Sequence, residues 1–331
     1  MIAALVQYAL LLLTTGFFAR CVYHIYFHPL ASIPGPKIAA CSSLWLAYHT
    51  FFGTECTAVY RLHQEYGPVL RVAPNDVDID DGEAIDPIYI RRGGFAKSPA
   101  YSKFDIDQHA TIFSTLTLQE RANRAKAVAP LFATAAIRHN VDHGPGHQFQ
   151  AVFDDFVARL RAESRTGKPV NVLNLARSMA LDAVSTYLFQ ERYGAVHEAS
   201  ETTMSASPFV DAFVGVGAYF NLMQGVVGDA LMHWIEWWTT SPKTEAAFRL
   251  IDSYTSHLVR TAQSKSGSYQ SRLMERIPQQ QAQTELKDVC FAGTDSTSMN
   301  VATILWYLAR DKDTCVVYLS VSAYCLTDLY R

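Results

Sequence analysis

Residues 286–311 read LKDVCFAGTDSTSMNVATILWYLARD, and apolar side chains cover nearly every face of the helix this stretch would form. Leu286, Val289, Phe291, Val301, Ile304, Leu305, Trp306 and Leu308 leave no broad polar side, the mark of a helix buried all round. Into its middle are set Gly293, Thr294, Asp295, Ser296 and Thr297, a carboxylate and three hydroxyls where the flanks predict Leu or Ala. Burying such groups costs free energy unless they are paired or hydrated. Helical hydroxyls can bond back to the carbonyl one turn earlier and bend the helix, and Gly293 weakens the same turn, so a local groove is expected. Such a groove suits a small diatomic ligand and one or two waters, with Ser296 as hydrogen-bond donor and Asp295 as a link toward bulk protons. The plainer alternative has Thr294–Thr297 capping a second helix, although no Glu or Gln stands three residues on to complete a capping box. Periodicity alone leaves the two readings level.

The other strongly apolar run is at the amino terminus. Ile2–Ala19 carries no charge, and after Arg20 the apolar character resumes through Phe27, which makes a membrane-span candidate. No Lys or Arg precedes the run and no clear small-x-small site follows it, so an uncleaved anchor is favoured over a signal peptide. Arg20 and Lys37 lie on its C-terminal side, and the positive-inside tendency then places the body in the cytosol. Next comes HPLASIPGP (28–36), where Pro29, Pro34 and Pro36 exclude a helix and predict a stiff hinge.

Between these landmarks the pattern is helical, apart from one hairpin. Thr54–Tyr66 reads as a helix stopped by Gly67-Pro68, and residues 69–73 and 77–79 alternate around Pro74-Asn75-Asp76 as a short β-hairpin. Further helices are expected over 82–91, 118–136, 148–162, 172–189, 208–223, 244–263 and 284–309, with a polar surface connection over 264–283. The expected fold class is mainly α with a minor β element. With 28 basic against 31 acidic residues there is no basic field to argue for nucleic acid. The six cysteines form no C-x-x-C pair, in keeping with a reducing compartment. No hydrolase, Walker or dinucleotide motif occurs.

Ala292-Gly293-Thr294-Asp295-Ser296-Thr297 resembles the A/G-G-x-D/E-T/S-T signature of the long central helix in cytochromes P-450. The order of other segments strengthens the likeness: an N-terminal span, HPLASIPGP, EYGPVLRVAPNDVDI (65–79), GFAKSPAY (94–101) and APLFATAAI (129–137) resemble successive landmarks of the fungal microsomal branch. The resemblance implies a cytochrome P-450 fold, a haem cofactor and an NADPH-cytochrome reductase as partner. It also implies the endoplasmic reticulum membrane and an apolar fungal secondary metabolite as substrate. By it, Ser296 takes the oxygen-activating hydroxyl position and Asp295 the acidic partner, with Ala292 and Gly293 beside the cofactor.

Two departures stand out. The family needs a Cys thiolate on the haem iron, and its E-x-x-R and F-x-x-G-x-R-x-C-x-G landmarks have no match after Ala309; Cys315 and Cys325 lack that context. Residues 1–331 alone are therefore expected not to retain haem. A frameshift, retained intron or premature stop is the expected origin of the change of character after Asp313. The resulting partition is an anchor (2–27), a hinge (28–37), a partial catalytic domain (38–313) and an aberrant tail (314–331). The second departure is Ala125, five residues before Pro130, where the family has an Arg for a haem propionate; Arg124 is the expected substitute, against a solvated basic stripe of Arg121, Arg124 and Lys126.

His143 and His147 flank a Gly-Pro step that forbids the helix needed to align them on a metal. Trp234, Trp237 and Trp238 are expected to touch the membrane, and Phe209, Phe213, Tyr219 and Phe220 to line an apolar pocket or pack the core. A non-enzymatic membrane-anchored binding protein is the alternative of a different class.

Overall fold

Helices carry most of the chain, as the run of 3.6-residue patterns requires. The computed structural model describes residues 2–91, 95–143, 147–199, 204–217, 241–311 and 313. Two compact units divide it, Met1–Lys103 with Val214–Thr239 and Phe104–Phe213 with Thr240–Arg331. Tyr219, Phe220, the tryptophans at 234–238, Cys315 and Cys325 lie outside the described residues, as do the side chains of His143 and His147.

In the first unit, α1 (Ile2–Val22) runs on into a π-helical turn, Tyr23–Phe27. Its apolar side chains are exposed, and Gln7–Phe27 is long and apolar enough to cross a membrane. Then follow α2 (Lys37–Cys41), α3 (Leu44–Phe51) and α4 (Glu55–Tyr66), of which only α4 was expected. The expected hairpin is present as β1 (Val69–Ala73) paired antiparallel with β2 (Asp76–Ile79), Val69 opposite Ile79. Leu46 of α3 packs on Leu70, Val72 and Ala73, with Trp45, Val59, Leu62 and Tyr66 around them. His63 ties α4 to the hairpin through Asp78 Oδ1 at 2.7 Å, a bond that raises its pKa.

The proline hinge is fastened rather than free. Pro34 O accepts the Arg71 N–H at 2.8 Å, and Gly35, at φ +152°, lies so close that a Cβ would stand 2.5 Å from Arg71 O. Only glycine fits that approach. The Arg71 guanidinium is buried without a carboxylate and donates instead to the carbonyls of His24 (2.8 Å), Leu30 (3.4 Å) and Pro74 (2.7 Å). One side chain thus joins the end of α1, the hinge and the hairpin.

The second unit holds α5 (Leu118–Val128), α6 (Thr134–His143), α7 (His147–Ser164), α8 (Val172–Phe189), α9 (Ala206–Gly217) as far as Phe213, α10 (Pro242–Arg260), α11 (Tyr269–Met274) and α12 (Gln279–Arg310). The single helix expected over 118–136 is cut in two: Pro130 has no N–H to donate, and a 3₁₀ turn, Ala129–Phe132, replaces the α-helix there. The helix expected over 82–91 is a 3₁₀ turn at Gly82–Ala84 and a π turn at Asp86–Ile90. The stretch 264–283 is not a mere surface connection. It contains α11, with Tyr269, Gln270 and Leu273 buried, and the first turn of α12.

α8 is buried along most of its length and runs antiparallel to α12: Leu188 and Phe189 share a core with Leu286 and Cys290, while Leu175 and Met179 meet Val301 and Leu305. Asp182, fully buried on α8, organises the turn that follows the helix. Its carboxylate accepts from the backbone N–H groups of Gly194 (2.7 Å), Ala195 (2.7 Å) and Val196 (3.3 Å) and from Arg192 Nε (3.0 Å). Removing one member of such a set strands the others in a dry interior. Asp182→Ala is expected to lower stability by about 3–5 kcal/mol, measured as a fall in the urea midpoint; an unchanged midpoint would show the turn to be held without it.

Candidate functional site

The polar step in α12 lies inside one unbroken α-helix, so Thr294–Thr297 neither caps a second helix nor interrupts the first. The expected back-bonding is present, Ser296 Oγ donating to Ala292 O at 3.1 Å and Ser298 Oγ to Asp295 O at 3.0 Å. The step has two sides. Thr294 and Ser298 are buried, and Thr294 Oγ1 has no hydrogen-bond partner among the described residues. Ala292, Ser296, Thr297 and Asn300 are exposed, and residues 292, 296 and 300 fall on one row of the helix.

Gly293 belongs to the packed side. A Cβ there would stand 2.7 Å from Val184 Cγ2, so its use is close approach to α8. The turn expected to be weakened there is part of one unbroken helix, and its place beside a cofactor stays an implication of the resemblance. Asp295 and Ser296, adjacent in sequence, turn to different surroundings. The Asp295 carboxylate stands 4.0 Å from Arg177 Nη2 of α8, whose Nη1 bonds Asp211 of α9 at 2.8 Å. Ser296 faces outward with its own proton donated to the helix, which leaves its oxygen free to accept.

Arg124 is not a free cation. It is only 11% exposed; its Nη1 pairs with Glu285 Oε1 of α12 at 3.2 Å and also donates to Ala110 O, and its Nη2 reaches Gln281 Oε1 at 3.2 Å. A charge buried this deeply must be paired, and Glu285 supplies the pair; a propionate role for Arg124 stays an implication of the resemblance. Arg121 and Lys126 are exposed, as the basic-stripe reading has them. The Glu285 network was not legible in advance, because a Glu in the first half of a mostly polar turn reads as solvated. Ile112 N–H donates to its Oε2 at 3.1 Å, and Lys287, two residues on, pairs with Asp107 at 2.5 Å and with Asp252. Together these bonds fasten the segment 107–112 along α12.

Phe209 is wholly buried in the core, and Phe213 stacks on Phe291 with ring centroids 4.6 Å apart. Core packing thus accounts for Phe209, while Phe213 and Phe291 are partly buried. Cys290, fully buried, has its thiol pushed up to about 12 by desolvation and is a neutral packing group.

A flat, largely apolar cofactor such as haem needs a helix face with small side chains and a hydroxyl. The row of Ala292, Ser296 and Asn300, bordered by exposed Met299, Ile304 and Tyr307, fits that requirement. Among the described residues of the second unit the one cysteine, Cys290, is sealed in the core, so it supplies no thiolate to this row. The row fits one face of the group only.

Comparison with known proteins agrees with this geometry. The family model Cytochrome P450 matches residues 34–315, and the chain belongs to the cytochrome P450 family. It is similar to Cytochrome P450 monooxygenase mfmF of Annulohypoxylon moriforme, 33% identical over 309 residues that cover 88% of this chain and 62% of that protein. It also resembles Cytochrome P450 monooxygenase atr2 of Stereocaulon alpinum, 32% identical over 61% of this chain and 40% of that protein. Fusicoccadiene C-8 hydroxylase of Phomopsis amygdali is 30% identical over 51% of this chain and 32% of its own length. The chain therefore spans less than two thirds of the length of these relatives.

Two outcomes follow for the site. Gly293→Ala should cost about 1–3 kcal/mol through overpacking on Val184, and Val184→Ala should restore much of it in a double-mutant cycle; additive costs would place the clash elsewhere. Burial raises Glu285 from 4.5 to about 7 against the opposing pull of the Ile112 N–H and Arg124. The folded form then holds this proton more tightly than the unfolded one, so the group stabilises the fold below about pH 4.5 and that contribution is lost as pH rises through about 7. Relative to wild type, Glu285→Gln should gain melting temperature between pH 4.5 and 7; a constant difference across that window would contradict the assignment.

Proposed function

We propose that the whole protein to which these residues belong is a membrane-anchored haem-thiolate monooxygenase acting on an apolar fungal secondary metabolite. The observation that carries this is the exposed row Ala292–Ser296–Asn300 on a buried-type helix, inside a chain that belongs to the cytochrome P450 family. The Phomopsis relative is named a hydroxylase and other relatives monooxygenases, which supports oxygen insertion as the reaction class. The apolar helix at Gln7–Phe27 supports an anchor; a cytosolic body at the endoplasmic reticulum and electrons from NADPH-cytochrome reductase complete the reading.

When bound, the haem supplies oxygen binding and activation through its thiolate-held iron. Ala292, Ser296 and Thr297 would lie along it. Ser296 holds a hydroxyl at the exposed row, where it can accept from a water and pass a proton on. Asp295, 31% exposed and one residue away, is a link toward bulk protons, and Arg177 keeps it oriented toward α8. Because the two side chains diverge around the helix, the transfer between them runs through a water rather than directly.

Two measurements check the reading. A chain carrying the family's cysteine loop should give the thiolate band in its reduced carbon-monoxide spectrum, and its absence there would overturn the haem-thiolate reading. In a chain that shows the band, Ser296→Ala should leave the spectrum intact while product formed per oxygen consumed falls several-fold. Unchanged coupling would sink the role of Ser296.

A further inference from the structure

α8 stops at Phe189, and Gln190 after it takes a left-handed φ of +55°. That conformation favours glycine, so a long amide is kept there against some backbone strain. Against this turn lies a partly enclosed cavity of about 350 Å³, bounded by α6, by the 3₁₀ turn after α5 and by the loop that enters α11. All of its lining belongs to the second unit, and none of it to the row Ala292–Ser296–Asn300. Pro130, Leu131 and Leu188 give it an apolar wall, which Tyr187 fastens to α8 by donating its hydroxyl proton to Leu131 O. Its volume lies in the range of small-ligand pockets, which combine an apolar lining with a few convergent polar groups.

The polar groups that converge here lack protein partners. Arg272 is the one charged side chain among the described lining residues. Its Nε donates to Gly267 O at 3.0 Å, which holds the guanidinium at the wall, and both Nη groups bond nothing among the described residues. The side-chain amides of Asn140 and Gln190 are equally unpartnered among those residues. Neighbouring ions are engaged elsewhere, Lys265 and His257 with Glu191, and Arg276 with Asn123. With a guanidinium and no Asp or Glu in the described lining, the cavity suits an anion and not a metal ion or an amine. Two free Nη groups form a fork that matches a carboxylate. A single positive charge neutralises a monoanion, whereas a second negative charge would be held there uncompensated. The apolar wall calls for a hydrocarbon body beside the charge. We propose that this cavity binds a small organic monocarboxylate, with its carboxylate on Arg272 and its apolar body on Leu131 and Leu188. An occupant so placed joins α6 and α8 to the start of α11.

The test titrates the full chain in phosphatidylcholine nanodiscs with para-fluorobenzoate, para-fluorobenzyl alcohol and para-fluorophenyl phosphate, read by fluorine NMR line broadening against empty nanodiscs. The benzoate should bind at least tenfold more tightly than the neutral alcohol or the phosphate dianion. Arg272→Gln removes the cation, and Ala136→Trp fills the cavity with Arg272 intact. Each should weaken benzoate at least tenfold while circular dichroism and the thermal midpoint stay those of the wild type. Arg272→Lys, which keeps the charge without the fork, should fall between wild type and Arg272→Gln. Benzoate that fails to bind the wild type, or that binds no better than the alcohol or the phosphate, overturns the proposal. Undiminished binding to Arg272→Gln overturns the charged contact, and undiminished binding to Ala136→Trp puts the probe outside the cavity; either result overturns the proposal as well.

Discussion

Gly293 lets the backbone of α12 lie against the Val184 methyls, and that single close approach fixes which way α12 is turned. Two apolar contacts on either side of it, Leu188 and Phe189 with Leu286 and Cys290, and Leu175 and Met179 with Val301 and Leu305, hold the helix in register. Given 3.6 residues per turn, Thr294 and Ser298 then face inward and Ala292, Ser296 and Asn300 face outward. A larger residue at 293 would push the helices apart or rotate α12, and the hydroxyl row would move with it. The chemistry proposed for Ser296 is thus set by the absence of a side chain three residues away.

Buried charges do the fastening elsewhere in both units. Arg124 with Glu285, Lys287 with Asp107 and Asp252, and Arg192 with Asp182 each connect segments distant in sequence. None of these pairs is a cheap source of stability, since taking two ions from water costs much of what their attraction returns. Their value is positional. An apolar contact can slide, whereas an ion whose partner moves away is left in a dry interior, so segment 107–112 and the turn after α8 have one arrangement. Arg71 extends the logic without a carboxylate: carbonyls at the end of a helix, the negative end of its dipole, serve as the counter-charge.

The fold was legible where periodicity was long. The hairpin, α4, α8 and most of α12 follow from spacing, and the central motif in residues 292–297 pointed to the family before any contact was known. Short helices were not legible: α2, α3 and α11 contain too few residues for a period to show, and α11 sits in a polar stretch whose Tyr269 and Leu273 are buried only because α12 and α5 flank them. Site residues divided in the same manner. Ser296 stands outward, as its proposed role requires, but the use of Gly293 depended on Val184, and that of Arg124 on Glu285, neighbours distant in sequence. A lone basic residue on a helix gives no sign of whether it meets solvent, a propionate or a carboxylate until the opposing element is placed.

Among the described residues, the exposed apolar faces of α12 and α3 differ in composition. On α12, Met299, Ile304 and Tyr307 alternate with Ser296, Asn300 and Thr303, and Arg310 lies over the Trp306 ring at 5.0 Å. Apolar groups mixed with hydroxyls and amides make a face that both packs and hydrogen-bonds, as a cofactor and protein require. On α3 the exposed residues are apolar and aromatic with no amide, and the nearest charges are Lys37 and Glu55 at its flanks. The clamp at Arg71 ties the strand beneath α3 to the end of the apolar helix α1.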